Sequence, residues 1–452
     1  MTSEAVERAE MAPVTDREEN LSAEMLRTEM LRIEEKVAQL TDVINRSERR
    51  SGPLPLEEFL EPVRRAKDAW DRSRASAKPP KKTIKVVEPS GMTLPAHSDL
   101  RREPPRKPAD QQPDYLEKFD STTLYYDAFR HDDGVWLSGP PLRNLRAVLE
   151  GADWRVDGVP VNGSLSLSDW GRTQRSRIVD APAGNTLTLA VHGCEFTMDI
   201  APDESDLFAG QRTLITVSKD NDLVWLKDYL HYYHVVHGVT GIVLYDNNST
   251  RYTPHDVADA IAEVEGITTA VVVAWNYPWG AERGPNNVWD SDYCQYSLLE
   301  HGRFRYLAKA AGVINADIDE LVLADDGRSA FEHAAESETG VVTYHGHWIA
   351  MATPQPMSPT RQRRFVDYRH RTGKAATAKW TLLPSHLDWR TTQWRVHSVD
   401  GSGAQPTPHL HHRHYQGITN GWKYNRTEVV AQPGAHHFDV RMSRVLDIVF
   451  GN

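Results

Sequence analysis

Strands and amphipathic helices alternate along residues 212–319, and this alternation limits the fold more than any other feature of the sequence. Each predicted strand is a short apolar run, and each predicted helix repeats its apolar residues at a helical period. In chain order these elements are strand 213–219, helix 222–237, strand 241–246, helix 253–266, strand 267–275, helix 291–311 and strand 313–319. The alternation predicts an α/β fold with a mostly parallel sheet and helices on both faces.

Polar clusters stand at the ends of three predicted strands, at 218–222, 246–249 and 317–320. Ligands of parallel sheets bind at the carboxyl ends of strands. In the last cluster Asp317 and Asp319 are two residues apart, so a strand end would point both carboxylates to the same side. Such a pair suits one hard divalent cation, or one metal ion and one ribose hydroxyl. A solvated strand end is the alternative, because an Asp-x-Asp motif is short.

Composition narrows the classes of function. The chain has 452 residues and a net charge of −11, which disfavours nucleic-acid binding because that depends on neutralising phosphates. An anionic ligand would need a local device such as a metal ion. Two cysteines cannot form a disulfide framework, and no apolar run reaches the roughly 18 residues of a membrane span. The first residues lack an apolar secretory region, so we expect a cytoplasmic protein.

Four regions are predicted along the chain. Residues 1–50 carry an apolar seam that predicts an amphipathic helix packed on its own chain or a short coiled coil that sets a homo-oligomer. Residues 51–113, rich in Pro, Lys and Arg, predict a linker that is solvated or touches a membrane surface or a partner protein. Residues 114–205 predict a small β domain, a sandwich with Asp-Gly and Asn-Gly turns. Residues 206–452 form the predicted catalytic domain.

Several motifs, in this order and rough spacing, resemble glycosyltransferases of the A-type fold, and more narrowly glycosyltransferase family 92 and related family-2-like enzymes. The resemblance covers about residues 212–426. Its main segments are NDLVWLKDYLHYYHVVHGV, LYDNNS and ADIDELV. Single matching positions are Asn221, Asp246, Ser249, Gln295, His414 and Tyr415.

The resemblance implies an A-type, Rossmann-like fold and a metal-dependent, inverting hexosyltransferase. Mn²⁺ or Mg²⁺ would bridge the phosphates of a nucleotide-sugar donor, with UDP-galactose as the first expectation, and neutralise the leaving diphosphate. A glycan would be the acceptor. The implied metal ligands are Asp317, Asp319 and His414, with His412 as the second choice of histidine. Asp246 would contact the base or ribose, and Asp317 the ribose or donor sugar.

Other residues receive roles by family position or order along the chain. Lys379, Arg395 and Lys423 are candidate pyrophosphate contacts, with plain surface charge as the alternative. Asn221 and Gln295 are candidate donor contacts. The catalytic set consists of Asp317, Asp319, Glu320 and Asp388. The sequence does not place the general base, for which the candidates are Asp325, Asp326, Glu332, Asp388, His345 and His347.

The absence of a membrane span departs from membrane-anchored members of this family. It favours bacterial capsule or cell-wall glycan synthesis, in the cytoplasm or at the inner face of the membrane. One alternative is a non-catalytic carbohydrate-binding or scaffolding protein on a degenerate transferase fold. Another is a metal-dependent hydrolase, since 12 of the 20 histidines lie in residues 331–452, although no His-Glu-x-x-His motif is present.

Overall fold

The computed structural model describes residues 54–76, 81–132, 134–161, 165–191, 193–283, 288–352, 361–421 and 437–451. The predicted helix at 1–50 and the predicted phosphate contact Lys423 lie outside these ranges. Leu54–Asn452 forms one compact unit, which runs through the predicted boundaries at 113 and 205. In the described part of the chain no helix has the length and apolar character to cross a membrane.

The α-helices of the described residues are numbered in chain order. They are α1 (Leu56–Ser76), α2 (Tyr115–Lys118), α3 (Arg146–Glu150), α4 (Leu223–His237), α5 (Pro254–Ala262), α6 (Tyr293–Arg305), α7 (Ala330–Glu336) and α8 (Val440–Phe450).

The strands are numbered in the same way. Those before residue 205 are β1 (Thr83–Val87), β2 (Met92–Thr93), β3 (Thr123–Tyr125), β4 (Asp127–His131), β5 (Gly134–Gly139), β6 (Asp153–Val156), β7 (Val159–Pro160), β8 (Leu165–Ser166), β9 (Asp169–Trp170), β10 (Thr173–Val179), β11 (Thr186–Val191) and β12 (Cys194–Ala201). Those after it are β13 (Arg212–Ser218), β14 (Gly241–Asp246), β15 (Thr269–Ala274), β16 (Gly312–Asn315), β17 (Glu320–Ala324), β18 (Val341–Ile349), β19 (His370–Leu382), β20 (Gln393–Trp394), β21 (Val399–Asp400), β22 (Leu410–Tyr415) and β23 (His437–Phe438).

The main sheet has the strand order β1-β15-β14-β13-β16-β19-β18-β22-β17, and β23 pairs with β19. The first five strands are mutually parallel, as predicted from the strand–helix alternation. Beyond β16 the sheet is mixed, because β19 pairs antiparallel with β16 and β18, and β17 pairs antiparallel with β22. The fold is therefore mixed α/β, with one parallel half.

Local signals fix the helices that follow β13 and β14. Helix α4 ends at Gly238, which adopts the left-handed conformation (φ 69°) that favours glycine. Helix α5 begins with a capping box between Thr253 and Asp256, and Pro254 occupies its first position. Both helix stops and starts confirm the sequence-based prediction.

The prediction of a linker over residues 51–113 is wrong. Helix α1 buries Phe59, Leu60 and Val63 in the core, and β1 is the edge strand of the main sheet, paired parallel with β15. The Lys82 ammonium donates hydrogen bonds to two backbone carbonyls at the end of α5 and beyond it, at 2.6 and 2.7 Å. The basic and proline-rich composition concealed a helical apolar spacing and a run of β-branched residues, which packing converts into regular structure.

The last predicted strand, 313–319, is also only partly right. Strand β16 ends at Asn315, and a turn over 316–319 leads into β17, in which Glu320 donates its backbone N–H to the Asp317 carbonyl at 3.0 Å. The two aspartates therefore belong to a turn between two strands rather than to the end of one strand.

A second, largely antiparallel sheet has the strand order β7-β6-β11-β12-β4-β5-β10-β8, with β9 beside β10. It coincides with the region predicted to be rich in β structure. Helix α6, whose residues are all buried, contacts both this sheet and β13 of the main sheet. A Cβ atom at Gly302 would lie 2.6 Å from a methyl group of Ile215, so glycine permits the close approach of α6 to the main sheet.

A buried charge network joins the two sheets through α6. The carboxylate of Asp127 on β4 accepts hydrogen bonds from His301 at 2.8 Å and from Arg305. The other ring nitrogen of His301 lies 2.7 Å from the Tyr245 hydroxyl on β14, and Arg305 also binds Glu204 at 3.0 Å. Each charge is compensated inside the protein, as a buried ion pair requires.

We predict that Asp127→Asn destabilises the protein by about 3 kcal/mol, because Arg305 would keep its buried positive charge but lose one of its two carboxylate partners. Urea unfolding followed by circular dichroism measures the change. Asp199→Asn is the matched control, since Asp199 is exposed on the same sheet. Equal stability of the two variants would contradict a structural role for this network.

His237, at the end of α4, is buried and neutral. One ring nitrogen lies 2.9 Å from the Val322 carbonyl, and the other accepts the Ala330 backbone N–H at 3.1 Å. Burial lowers the pKa of His237 to about 4, because the charged form would be desolvated. In the unfolded chain a histidine titrates near pH 6.5.

Because this pKa is lower in the folded state, unfolding takes up a proton between pH 6.5 and 4. We therefore predict that His237 removes about 1.4 kcal/mol of stability for each pH unit below 6.5. Urea unfolding at pH 7.5, 6 and 5 measures the slope. His237→Gln should flatten it, whereas His255→Gln, at an exposed position of α5, should not. An unchanged slope in His237→Gln would refute the assignment.

Candidate functional site

The order of strands in the main sheet defines where a ligand crevice lies. From β13 the chain moves outward to β14 and β15, and then returns to place β16 on the other side of β13. Ligands of open parallel sheets bind at such a reversal, outside the carboxyl ends of the two strands. Residues 219–222 follow β13, and residues 316–319 follow β16. The first and third predicted polar clusters therefore flank this crevice.

Hydrogen bonds between the β13 and β14 loops build one wall of the crevice. The Asp220 carboxylate accepts the backbone N–H groups of Thr250 and Arg251 at 2.6 and 2.8 Å, and its own N–H donates to the Ser249 hydroxyl at 2.9 Å. The side-chain amide of Asn221 donates to Ser218 at 3.0 Å. The predicted donor contact Asn221 is thus held in this wall.

Asp246 lies lower in the same wall and is almost fully buried. Its carboxylate accepts hydrogen bonds from the hydroxyl and the backbone N–H of Ser249. Burial raises the pKa of Asp246, and the Ser249 bonds oppose that rise. Asn247 donates to the carbonyls of Trp275 and Tyr277, both at 2.9 Å, and so ties the β14 end to the segment after β15.

The opposite wall holds a compact cluster of charged residues. The Lys379 ammonium lies 2.9 Å from the Asp317 carboxylate and 3.1 Å from that of Glu320. The same Glu320 oxygen accepts the backbone N–H of Asp317 at 3.0 Å. Burial alone would lower the pKa of Lys379, but the two carboxylates raise it. Glu320 has its pKa raised by burial, and Lys379 counteracts that shift. Lys379 and Glu320 are fully buried, whereas Asp317 is partly exposed.

His414 joins this cluster from β22. Its Nε2 lies 3.0 Å from an oxygen of Asp319, and its Nδ1 lies 3.2 Å from Glu320. The half-exposed Trp348 ring on β18 stacks on the imidazole, with 3.8 Å between the ring centroids. Alternation along β22 places residues 412 and 414 on this side, whereas Arg413 turns to the other side and binds Asp439 at 2.7 Å.

His412, the second choice of metal-binding histidine, has a different environment. Its Nε2 lies 2.8 Å from the Thr377 carbonyl, and its Nδ1 is 3.7 Å from Glu320. The ring is fully buried, and burial lowers its pKa well below the ordinary value. Its Nε2–H donates to this carbonyl, so His412 is a neutral packing residue beneath the cluster.

Among the described residues, no group of three or more His, Cys, Asp and Glu side chains is arranged to hold a metal ion. The predicted set of Asp317, Asp319 and His414 is therefore not assembled as three ligands, since the Asp317 carboxylate contacts Lys379. Asp319 and His414 do form a pair at the crevice. Such a pair fits a cation whose shell is completed by substrate phosphates, the usual arrangement for Mg²⁺.

Other predicted residues lie apart from the cluster. Arg395 pairs with Asp400 at 2.9 Å, and Asp388 accepts the Arg390 backbone N–H at 2.9 Å within its own exposed turn. Gln295 is buried in α6. For these three predicted residues, the contacts described do not include the cluster. Three candidate bases lie at the opposite edge of the main sheet, since β17 runs away from the crevice. They are Asp325, Asp326 and Glu332, the last of which forms the capping box of α7.

Sequence reasoning missed three residues at the crevice. Lys219 directly follows β13, and its backbone carbonyl accepts a hydrogen bond from the Asn420 side chain. The third is Trp348, beside His414. Lys219 had a signal in its position within the first polar cluster, whereas Asn420 and Trp348 reach the site through pairing of distant strands.

Comparison with known proteins adds little to this geometry. No family model matches the chain, and no curated protein matches it. Among solved structures, the galactosyltransferase LgtC in complex with donor and acceptor sugar analogues is similar, with 12% identity over 53% of this chain and 95% of that chain and a TM-score of 0.25. An active-site mutant of LgtC is similar over the same shares, also at 12% identity, with a TM-score of 0.24. Likeness at these scores carries no argument, so membership of family 92 stays a prediction.

The packing of β18 on β22 offers a test of how the cluster is positioned. A Cβ atom at Gly346 would lie 2.3 Å from the His412 ring. We predict that Gly346→Ala displaces β22, lowers stability by about 1–3 kcal/mol and weakens any ligand binding that depends on His414. Thermal unfolding measures the loss. Gly151→Ala is the control, because the nearest atom to its added Cβ would be 3.7 Å away. A melting temperature equal to that of the control would contradict this close packing.

Proposed function

We propose that the protein is a glycosyltransferase that moves a hexose from a nucleoside-diphosphate sugar to a glycan hydroxyl. The observation that carries the proposal is the Asp319–His414 pair, whose atoms lie 3.0 Å apart beside Asp317 at the strand-order reversal of the main sheet. An α/β sheet binds its ligands at this edge. The motif resemblance, which rests on the same residues, supplies the class of reaction.

Asp319 and His414 would hold a divalent cation, Mn²⁺ or Mg²⁺, together with the donor diphosphate. When bound, the cation neutralises the negative charge that develops on the leaving diphosphate. One carboxylate oxygen and one imidazole nitrogen are acceptable ligands for such an ion. The excess of acidic residues in the chain makes this local positive charge necessary for an anionic donor.

The other residues of the crevice divide the rest of the donor between them. Asp317 is partly exposed and would accept a hydrogen bond from a ribose hydroxyl. Asn221 and Asp246, in the wall built by the β13 and β14 loops, would lie toward the base. Trp348 presents a half-exposed indole beside His414, and sugar rings stack on such surfaces. UDP-galactose is the first donor to test, and bacterial capsule or cell-wall glycans are the first acceptors.

A panel of UDP-hexoses with Mn²⁺ tests the proposal by measuring release of UDP and binding of UDP. We expect Asp319→Asn and His414→Ala to lower UDP release by at least about 100-fold, which exceeds or equals the effect usual for outer-shell partners of a metal. Glu338→Gln, an exposed carboxylate distant in sequence, should leave release unchanged.

The outcomes separate the proposed enzyme from its alternatives. UDP binding without UDP release from any donor would favour a non-catalytic carbohydrate-binding protein. Neither binding nor release would refute the proposal. Wild-type rates in both Asp319→Asn and His414→Ala would show that the chemistry lies elsewhere.

A further inference from the structure

We infer that Lys379 is a positioning residue that keeps Asp317 and Glu320 away from the cation, so that the cation enters the site together with the donor diphosphate. This inference rests on the proposed function. It replaces the sequence-based expectation that Lys379 touches the pyrophosphate. It also reduces the predicted metal ligands from three to two, Asp319 and His414.

The first step concerns the environment of the ammonium. Lys379 has no exposed side-chain surface, and its Nζ lies 2.9 and 3.1 Å from two carboxylates. A buried charge is tolerated only when partners compensate it, so Lys379 holds both carboxylates in place. Because its Nζ is enclosed, the phosphates of a ligand cannot reach it unless the cluster rearranges. Its positive charge therefore acts on Asp317 and Glu320.

The second step concerns what each carboxylate can still do. Glu320 is enclosed by Lys379, the Asp317 backbone N–H and His414, so it supports the imidazole from behind rather than facing the crevice. Asp317 keeps about a third of its side-chain surface exposed, but Lys379 offsets its charge. An offset carboxylate is a poor ligand for a divalent cation and remains a good acceptor for a hydroxyl group.

The third step follows from the number of ligands. Mg²⁺ and Mn²⁺ prefer six ligands, and this site supplies two protein groups. Two groups bind a free cation weakly, whereas the oxygens of a diphosphate would complete the shell. The protein should therefore have little resident metal and should bind the cation and the nucleotide as a unit.

Electron paramagnetic resonance of Mn²⁺ with the full chain tests the inference. We expect Mn²⁺ to bind at least about 10-fold more tightly when UDP is saturating than when UDP is absent. In the presence of UDP, Asp319→Asn should weaken Mn²⁺ binding at least about 10-fold, whereas Asp317→Asn should change it less than about 3-fold. Asp317→Asn should instead reduce the preference for UDP over 2′-deoxy-UDP.

A charge-balanced pair of substitutions tests the role of the lysine itself. Lys379→Met combined with Glu320→Gln removes one positive and one negative buried charge. We expect it to raise the affinity for Mn²⁺ without UDP by about 10-fold, because the Asp317 carboxylate becomes an available third ligand. Lys374→Met, at an exposed position of the same strand β19, is the matched control and should leave that affinity unchanged.

Failure of the inference differs from failure of the proposed function. Equal Mn²⁺ affinity with and without UDP, or equal losses in Asp317→Asn and Asp319→Asn, would overturn the inference while the transferase stands. Absence of UDP binding at any Mn²⁺ concentration would overturn both. If the double variant does not fold, the wild-type comparison and the Asp317 and Asp319 variants still decide.

Discussion

A fully buried ammonium between two carboxylates organises the candidate site. The charge of Lys379 can remain inside the protein only because Asp317 and Glu320 lie within 3.1 Å of it. Those two residues begin and end the turn between β16 and β17, so the ion pairs fix the shape of that turn. Glu320 then supports His414 from the neighbouring strand. The position of every group at this wall of the crevice thus depends on one compensated charge.

The two sheets are joined in a comparable way. Asp127, His301 and Arg305 form a buried network that extends from the second sheet through α6 to Tyr245 in the main sheet. Tyr245 immediately precedes Asp246 at the end of β14. The second sheet therefore braces the strand that carries one wall of the crevice. This connection explains why the region predicted to be a separate β domain belongs to the same compact unit.

The sequence was sufficient wherever local signals agree with tertiary packing. Strands β13, β14 and β15, the stop of α4 at Gly238 and the capping box at Thr253 follow directly from apolar patterns and end signals. The clusters after β13 and β16 were also predicted, since parallel strands place their carboxyl ends together. The linker prediction failed because composition was weighed above spacing. Buried residues such as Phe59 and Leu60 repeat at a helical period that outweighs many surrounding charges.

Strand β22 shows why the rest could not be predicted. Its sequence, LHHRHY, is polar, yet every residue is buried between two neighbouring strands. No local pattern indicates a central strand, because each polar side chain is compensated by a residue distant in sequence. Arg413 pairs with Asp439, and His414 faces Asp319 and Glu320. A buried polar strand carries a cost in desolvation that apolar residues would avoid. Its polar side facing the crevice is therefore best explained by the chemistry that His414 performs there.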